Sequence, residues 1–323
     1  MMGKIYFSIP VYNEEKNLSK FIRSLSESTK FLKNFKETFF CLNGCKDNSE
    51  KIIKENIKKF PHLNIKLLKS KKGKINAQKE IILHQKEGHP IFFLDADTKL
   101  KKNSIKIILK ELNENKELIA VGGFPIAKKY SGKNLWKRFL DNILNIKSRH
   151  PMSEISKLNV EKYHALAISH PQNLNTRKEH ELKSKIFFHG RIFCLRSKKY
   201  WDYPKKKGIV GDDSYLPDYI TYNYGKNKIR IRYDALTYYQ PFLSLKKHYI
   251  TYKRVYFDLK NLKKKYPKFK EIREHSALKL DWRYINSLKY SEKIKFYIFT
   301  LIRFFEKKIF ELSLNKNPKK IWN

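Results

Sequence analysis

The sequence predicts an α/β protein with a doubly wound, mostly parallel sheet, followed by a basic helical C-terminal appendage. Two observations support this prediction. Apolar stretches of strand length alternate along residues 1–240 with stretches in which apolar side chains recur every three or four positions, as strand–helix units require. The connections are short, and the loops with unusual residues follow strands, which is where such sheets bind their ligands.

The first strand is predicted at 5–9, an apolar run that Pro10 ends. Asn13 is a favourable N-cap residue, and Glu14 and Glu15 would follow in the first helical turn, where the helix dipole favours acids. Apolar side chains then recur at helical spacing. The segment therefore predicts a first strand–turn–helix unit.

The same alternation continues as far as the predicted appendage. Asp47, followed three residues later by Glu50, resembles a capping box at the start of the second helix. Gly190 interrupts one strand and allows a close approach of backbone or ligand there. The later strands are predicted at 38–42, 65–68, 91–94, 118–124, 185–196, 229–233 and 236–239, with helices around 52–57, 81–83 and 104–112 and from Asp212 onward.

The most informative strand is the apolar run at 91–94, which ends in two acids, Asp95 and Asp97. A run rich in Ile and Phe is typical of a strand buried on both faces. If the strand continues through Asp97, both carboxylates point to the same side, because side chains repeat every two residues. Such a pair would hold Mg²⁺ or Mn²⁺ together with a diphosphate; the alternative is a solvated turn.

The composition is strongly basic. Lys and Arg number 71 against 31 Asp and Glu, which gives a formal net charge of +40. This charge would attract nucleic acid, anionic lipid or phosphorylated ligands. Lys greatly outnumbers Arg, and Asn, Ile, Phe and Tyr are abundant, which A+T-rich codons produce without any partner. No nucleic-acid-binding module is recognisable, so no nucleic-acid partner is expected.

The cysteines and the chain termini suggest an intracellular protein. Cys41, Cys45 and Cys194 cannot all pair, and no second Cys or His pair completes a zinc site. The first strand begins too early for a signal peptide, and no run approaches the roughly 18 uncharged apolar residues of a membrane span. We expect a cytoplasmic protein, or a peripheral one on the inner face of the cell membrane.

Residues 1–240 are predicted to form a catalytic domain, with 125–185 as an insertion that flanks the site, and 241–323 a basic helical region. An apolar stripe in this last region predicts packing in a core, with contact to an anionic membrane surface as the alternative. Its members are Ile294, Tyr297, Ile298, Leu301, Ile302, Phe305, Ile309 and Leu312.

Five landmarks, in the correct order over residues 1–225, resemble those of family-2 glycosyltransferases with the GT-A fold. They are the segment at 8–15, the turn at 43–49, the basic residues 72–74, the acids at 94–97 and the acid pair at 211–213. The resemblance implies an inverting enzyme that moves a sugar from a nucleotide-diphosphate donor to a hydroxyl group. We expect a glycan or lipid-linked acceptor in cell-envelope polysaccharide or glycolipid synthesis.

The resemblance also implies roles for individual residues. Asp97 would coordinate the metal, with Asp95 facing the metal or the ribose. Asp213 matches the family's base, while its neighbour Asp212 remains the alternative. Contacts with the donor are expected from Pro10, Tyr12, Glu14, Asn43, Asp47, Lys74 and Asp95.

Two departures from the family pattern limit the resemblance. Asn43 stands where the family usually has an acid, and because an amide both donates and accepts, the identity of the base stays open. The Q-x-x-R-W motif of processive members is absent, which disfavours a polymerising synthase. The alternatives are a basic nucleic-acid-binding protein and a metal-dependent nucleotidyltransferase, although no glycine-rich phosphate loop precedes the first helix.

Overall fold

The computed structural model describes residues 4–32, 35–146, 148, 188–206, 211–270, 272 and 282–316. These residues form two compact units. One lies within Met1–Pro125 and Lys185–Tyr239, and the other within Ile126–Ser184 and Gln240–Asn323. Most of the predicted insertion at 125–185 and the beginning of the strand predicted at 185–196 lie outside the described residues. The division into domains at residue 240 stays a prediction.

The described strands form one mixed sheet. They are β1 (Ile5–Val11), β2 (Phe35–Leu42), β3 (Ile65–Lys69), β4 (Ile91–Leu94), β5 (Thr98–Leu100), β6 (Ala120–Ala127), β7 (Ile192–Leu195) and β8 (Ile229–Tyr239). Their order is β3-β2-β1-β4-β7-β6-β8-β5. β1 is parallel to β2 and β4, and β2 to β3, whereas β7 is antiparallel to β4 and β6, and β5 to β8. The predicted α/β class is confirmed, with the parallel pairing among the first four strands.

Helices follow the strands as predicted and continue into the second unit. They are α1 (Leu18–Thr29), α2 (Ser49–Lys59), α3 (Lys74–Leu83), α4 (Ser104–Glu114), α5 (Leu135–Leu144), α6 (Asp212–Tyr224), α7 (Leu245–Lys265), α8 (Trp282–Ser287) and α9 (Tyr290–Lys316). Short 3₁₀ turns lie at Pro61–Leu63, Lys198–Tyr200, Lys226–Lys228 and Pro267–Phe269. In the described part of the chain, none of the helices has the length and apolar character that crossing a membrane requires.

β4 lies between β1 and β7 and is buried on both faces, as predicted. On one face Phe92 stacks on Phe7, with ring centroids 5.0 Å apart, and on the other Phe93 stacks on Phe193 at 4.7 Å. Successive side chains of a strand point to opposite faces, so these contacts belong to two cores. Side chains of α1 and α4 complete the first core, and those of α3 and α6 complete the second. The sheet is therefore a layer between helices.

β1 continues through Pro10 to Val11, so the prediction that Pro10 ends the strand is wrong. Proline lacks a backbone donor and is tolerated where that donor would face no neighbouring strand. Tyr6 N donates to Pro90 O on the β4 side, and every second residue of a strand faces the same side. Pro10 thus faces the β4 side, beyond Ser8, the last residue of β1 paired with β4. No sheet hydrogen bond is lost.

β8 is a single strand where two were predicted, at 229–233 and 236–239. Asp234 in the predicted gap is exposed and pairs with Arg232, with Nε to Oδ1 at 3.0 Å and Nη2 to Oδ2 at 2.8 Å. Residues two apart share one face of a strand. Because this acid is neutralised on the outer face, it does not interrupt the sheet.

α9 packs through a face that includes only part of the predicted stripe, because Ile298 and Ile302 lie against its buried cluster. Phe296 and Phe299 are buried in one cluster with Ile143 of α5 and Ile285 of α8. The α9 sequence is apolar on both faces, and helical periodicity alone does not say which face is covered. The prediction of core packing is wrong for four stripe residues that are more than half exposed, Leu301, Phe305, Ile309 and Leu312.

Arg196, which follows β7, caps the C-terminal end of α4. Its Nε donates to Leu118 O at 2.6 Å, and its Nη2 donates to Leu112 O and Asn115 O, both at 2.7 Å. The last carbonyl groups of a helix lack partners within the helix, and a positive charge there interacts favourably with the helix dipole. Arg196 therefore ties β7 to the connection between α4 and β6.

We expect Arg196→Met to lower the free energy of unfolding by about 2 to 3 kcal/mol, because hydrogen bonds from a charged group to three carbonyls are lost. Urea unfolding followed by circular dichroism measures this change. The matched control is Arg23→Met on the exposed face of α1, which should shift stability by less than about 0.5 kcal/mol. Equal losses in the two variants would contradict the role of Arg196.

Candidate active site

The loops after β1, β2 and β3 are joined at the carboxyl edge of the sheet. Asn43 N donates to Val11 O at 3.0 Å, and Asn43 Nδ2 donates to the same oxygen at 2.7 Å. Asn43 Oδ1 accepts from Gly73 N at 3.3 Å. Asp47 Oδ2 accepts from Glu15 N at 3.0 Å. Asn43 and Asp47 thus fix the relative positions of the loops in which donor-binding residues were predicted.

The predicted donor-binding residues differ in what they expose. Asn43 is buried and engages both polar atoms of its side chain within the protein, so its contact with a base stays a prediction. Tyr12 is 42% exposed, and Lys72 Nζ lies 5.0 Å from its ring centroid. Pro10 is partly buried in β1. Tyr12 is therefore the side chain of this group that offers an open aromatic surface.

Asn13 does not cap α1, so that prediction is wrong. Its φ of +54° is left-handed, a conformation that Asn adopts more readily than most residues, and its Oδ1 accepts from Lys46 N at 2.8 Å. The N-cap is Asn17, whose Nδ2 donates to Glu14 Oε2 at 2.7 Å. The loop before α1 is therefore longer than predicted and keeps Glu14 at the sheet edge.

The capping box predicted at α2 is also wrong. The N-cap is Asn48, and Asp47, one residue earlier, accepts from Ser49 N at its Oδ1, 3.1 Å away. Glu50 turns outward and pairs with Lys54 at 2.8 Å. Asp47 thus closes the turn through one oxygen and holds the neighbouring loop through the other.

The acids after β4 lie in a turn. The strand ends at Leu94, and Thr98 Oγ1 donates to Asp95 O at 2.8 Å where β5 begins. Strand alternation therefore does not set the directions of Asp95 and Asp97. Their placement depends instead on contacts with residues from other segments.

The ammonium group of Lys74 connects two of the predicted acids. Lys74 Nζ lies 2.8 Å from Asp95 Oδ1 and 3.0 Å from Asp212 Oδ1. Asp212 Oδ2 accepts from Gln78 Nε2 at 2.6 Å. Lys74 and Gln78 are four residues apart on α3 and share one face of the helix. Both oxygens of Asp212 are therefore engaged, whereas the N-cap of α6 is Gly211.

Asp213 has different partners. Its Oδ2 accepts from Gly190 N at 3.2 Å and lies 4.0 Å from His189 Nδ1. A Cβ atom at Gly190 would come within 3.0 Å of Lys74 Nζ and 3.1 Å of Asp213 Oδ2. The absence of a side chain at Gly190 is what lets its backbone approach both groups.

Arg191 brings a second positive charge to this edge. Its guanidinium lies 4.0 Å from the ring centroid of Tyr239, and its Nη1 is 3.2 Å from His189 Nε2. Its carbonyl accepts from Asp95 N at 3.3 Å. The charges of Asp97, Asp95 and Asp213 raise the pKa of Arg191, although burial opposes its charged form. The residue therefore stays charged beside the acids.

Burial and neighbouring charges shift the pKa values at the site. Burial raises the pKa of Asp95 to about 6, although the charge of Lys74 opposes the shift. Burial, and then the charge of Asp212, raise the pKa of Asp213. Burial disfavours the charged form of Lys74, but Asp212 and Asp95 together raise its pKa above the ordinary value. Lys74 therefore stays protonated near neutral pH.

Glu14 belongs to the same group of acids. Burial raises its pKa to about 7, the hydrogen bond from Asn17 opposes the shift, and the charges of Asp97, Asp95 and Asp47 add to it. Like charges disfavour further ionisation where acids are held together. The structure therefore brings Glu14 into the electrostatic environment of the acids that follow β4.

Asp97 has an oxygen suited to a cation. In the described part of the chain, its Oδ1 is buried without a hydrogen-bond partner, and a buried polar atom of this kind is unfavourable. No group of three or more His, Cys, Asp or Glu side chains that could hold a metal ion occurs among the described residues. Mg²⁺ is typically held by one or two carboxylates plus substrate phosphates. Asp97 fits such a site, whereas Asp95 already has the charge of Lys74 beside it.

Sequence reasoning missed Gln78. It fixes the second oxygen of Asp212, and that contact joins residues 134 positions apart. Gln78 is four residues from Lys74, and this spacing could have predicted that the two side chains share one face of α3. Nothing in the local sequence identified Asp212 as its partner.

An α/β sheet that gathers acids and buried positive charges at its carboxyl edge has the architecture of an enzyme. Residues 7–200 match the family model described as glycosyl transferase family 2. This match covers more than half of the chain and runs from within β1 through β7. The protein belongs to glycosyl transferase family 2, so it is a glycosyltransferase, as the sequence landmarks predicted.

Two similar proteins have names that bear on function. Minor teichoic acid biosynthesis protein GgaB of Bacillus subtilis (strain 168) is 30% identical over 118 residues, which are 36% of this chain and 13% of that protein. The chain thus matches a small part of this relative. Mannosyltransferase PcManGT from Pyrobaculum calidifontis, solved with GDP-Man and Mn²⁺, has a TM-score of 0.57 at 12% identity over 94% of this chain and 74% of that one. This likeness supports the predicted GT-A-like fold.

We expect Lys74→Met to raise the pKa of Asp95 above its value of about 6, because the positive charge that favours the carboxylate is removed. Asp95 then takes up its proton at a higher pH, which a ¹³C NMR titration of the carboxyl carbons detects. Lys79→Met is the matched control, since Lys79 Nζ on the same helix lies 3.7 Å from the ring centroid of Tyr203. An unchanged or lowered pKa in the Lys74 variant would show that this ion pair does not govern Asp95.

Proposed function

We propose that the protein transfers a sugar from a nucleotide-diphosphate donor to a hydroxyl group of a glycan or lipid-linked acceptor, with inversion at the anomeric carbon. The observation that carries the proposal is the convergence of Lys74, Asp95, Asp212 and Asp213 at the carboxyl edge of the sheet. It combines fixed positive charge for a leaving diphosphate with a carboxylate that can accept a proton. Family membership supports the transferase class.

The donor occupies the loops after β1, β2 and β3. Pro10, Tyr12 and Glu14 line the nucleotide pocket, and the exposed ring of Tyr12 is the surface on which a base can lie. Asn43 and Asp47 support this pocket from its second loop. The complex of PcManGT with GDP-Man and Mn²⁺ supports a nucleotide sugar as the class of donor.

Asp97, assisted by Asp95, would hold Mg²⁺ or Mn²⁺ together with the donor diphosphate. When bound, the metal supplies positive charge that stabilises the leaving phosphates. Lys74 supplies further charge at the same edge and needs no reorganisation, because two acids already hold it in place. The unpartnered Oδ1 of Asp97 supports this assignment.

Asp213 acts as the general base. It takes the proton of the acceptor hydroxyl while the oxygen bonds to the anomeric carbon and the bond from that carbon to the diphosphate breaks, releasing a nucleoside diphosphate. A raised pKa makes its carboxylate a stronger base. Asp212 is the weaker candidate, because Lys74 and Gln78 already engage both of its oxygens. We therefore assign Asp212 to positioning.

The acceptor belongs to cell-envelope polysaccharide or glycolipid synthesis. The name of the B. subtilis relative, a teichoic acid biosynthesis protein, supports this assignment through the aligned 118 residues. The protein accordingly works in the cytoplasm or peripherally at the inner face of the cell membrane.

We expect Asp97→Asn to abolish the increase in melting temperature that a nucleotide sugar and Mn²⁺ produce together, while the unliganded protein keeps its melting temperature. The reason is that an amide is a far poorer ligand for a hard cation than a carboxylate. A thermal-shift screen of nucleotide sugars with and without Mn²⁺ identifies the donor and then measures the loss. Glu114→Gln on α4 is the control. Full turnover in excess chelator would overturn the metal assignment.

We expect Asp213→Asn to lower turnover by about two or more orders of magnitude while the donor still binds, because the amide keeps the shape but cannot accept a proton at neutral pH. Release of nucleoside diphosphate measures the rate. Asp212→Asn is the matched comparison and should retain more activity. If Asp212→Asn is inactive and Asp213→Asn is mild, the base is Asp212.

A further inference from the structure

α9 has two apolar faces with different surroundings. One face packs within the second unit: Phe310 stacks on Tyr256 of α7 with ring centroids 5.6 Å apart, and Glu306 Oε1 lies 2.7 Å from His248 Nδ1 of α7. Glu306 and His248 are both buried. These contacts fix the rotation of α9 about its own axis, so the direction of its other face is determined by the fold.

The opposite face carries five large apolar side chains that are 53% to 66% exposed, Leu301, Phe304, Phe305, Ile309 and Leu312. They recur at spacings of three, four and seven residues, as in Leu301, Phe305 and Leu312, and these spacings place them on one side of a helix. Exposed apolar side chains concentrated in this way are characteristic of an interaction surface. We call this set the α9 apolar face.

Positive charge accompanies the α9 apolar face. Lys307 and Lys308 of α9 are exposed beside it and lie 4.0 Å and 3.6 Å from Glu311, so these three residues together carry one net positive charge. α7, which packs on the other side of α9, has exposed lysines along its length, and its one acid, Asp258, is buried. An amphipathic helix with Phe and Leu on one face and lysines on its flanks is the pattern of a helix that lies in the interface of a membrane.

The charge distinguishes among possible occupants of this face. A second copy of the chain would bring a formal net charge of +40 against another +40, which opposes association. Nucleic acid would satisfy the lysines but offers nothing for five clustered aliphatic and aromatic side chains. An anionic bilayer satisfies both, because its headgroups attract lysines and its acyl region accepts apolar side chains.

We propose that the α9 apolar face inserts into the surface of an anionic lipid bilayer, with Lys307 and Lys308 of α9 near the lipid headgroups and the exposed lysines of α7 adding to the attraction at longer range. The helix lies along the membrane surface and does not cross it. The proposed function places the protein in the cytoplasm or at a membrane, and this inference names the surface that binds the lipid. It does not depend on the residues of the candidate active site. Membrane binding and glycosyl transfer can therefore fail separately.

The test is co-flotation of the full chain with vesicles of phosphatidylcholine alone or of phosphatidylcholine mixed with phosphatidylglycerol. The unmodified protein should float with the anionic vesicles, and salt should weaken this binding. The combined variant Leu301→Gln, Phe305→Gln and Leu312→Gln should lower the partition coefficient at least about tenfold, because burial of one large apolar side chain is alone worth about that much. The variant should keep its circular dichroism spectrum, since these side chains are exposed.

The matched control, Phe31→Gln with Leu83→Gln, removes exposed apolar side chains from the first unit and should bind vesicles as the unmodified protein does. A second variant, with Lys246→Glu, Lys260→Glu and Lys264→Glu on α7, should lose binding to the anionic vesicles. Turnover on a soluble acceptor should be unchanged in all these variants. If Asp97→Asn and Asp213→Asn keep full turnover but float with the anionic vesicles as the unmodified protein does, the proposed function fails and the membrane proposal stands.

Three results would overturn the proposal. Folded protein that stays in the soluble fraction with both kinds of vesicle shows that the surface does not bind lipid. Equal flotation of the unmodified protein and the three-glutamine variant of α9 places the lipid contact elsewhere. A dimer in sedimentation that this variant dissociates, without vesicle binding by either protein, assigns the α9 apolar face to a second copy of the chain.

Discussion

The ion pairs of Lys74 are the interaction on which the site depends. Three acids, Asp95, Asp212 and Asp213, converge at the carboxyl edge of the sheet, where Asp212 is buried and the other two are partly exposed, and like charges held together repel one another. Lys74 Nζ lies within 3.0 Å of two of them, Asp95 and Asp212. Burial disfavours the charged form of Lys74, but these acids raise its pKa above the ordinary value. These ion pairs hold α3, the turn after β4 and the start of α6 together. Removing one member of such a group would leave an uncompensated charge, which is strongly unfavourable where the group is buried.

This arrangement separates the tasks of two adjacent acids. Asp212 is fixed at both oxygens by Lys74 and Gln78, whereas Asp213 is oriented by the backbone of Gly190. A group whose oxygens are all engaged suits positioning, and one with a raised pKa and a free lone pair suits proton transfer. Gly190 is essential to this arrangement, since a side chain there would meet both Lys74 Nζ and Asp213 Oδ2.

The second unit solves a different problem, because its helices must bury apolar surface while carrying many lysines. α7 and α9 do so through a buried pair, His248 with Glu306, and through stacked rings. The result is an apolar face on α9 that stays exposed among the described residues of the unit. The candidate site thus depends on ion pairs, whereas the second unit depends on a buried apolar cluster and leaves the α9 apolar face exposed.

The sequence by itself determined the α/β class, the central strand that ends just before Asp95, the helix that begins at Asp212 and the family, because each depends on local patterns of a few residues. Only the tertiary structure decided which contacts these residues make. Asn13 leaves the helix start that its propensity favours because it contacts the next loop, and Gln78 meets an acid 134 positions away. Likewise, helical periodicity marked α9 as apolar, but its buried face was set by α5, α7 and α8. Contacts between distant segments leave no local pattern, and for that reason the sequence could not show them.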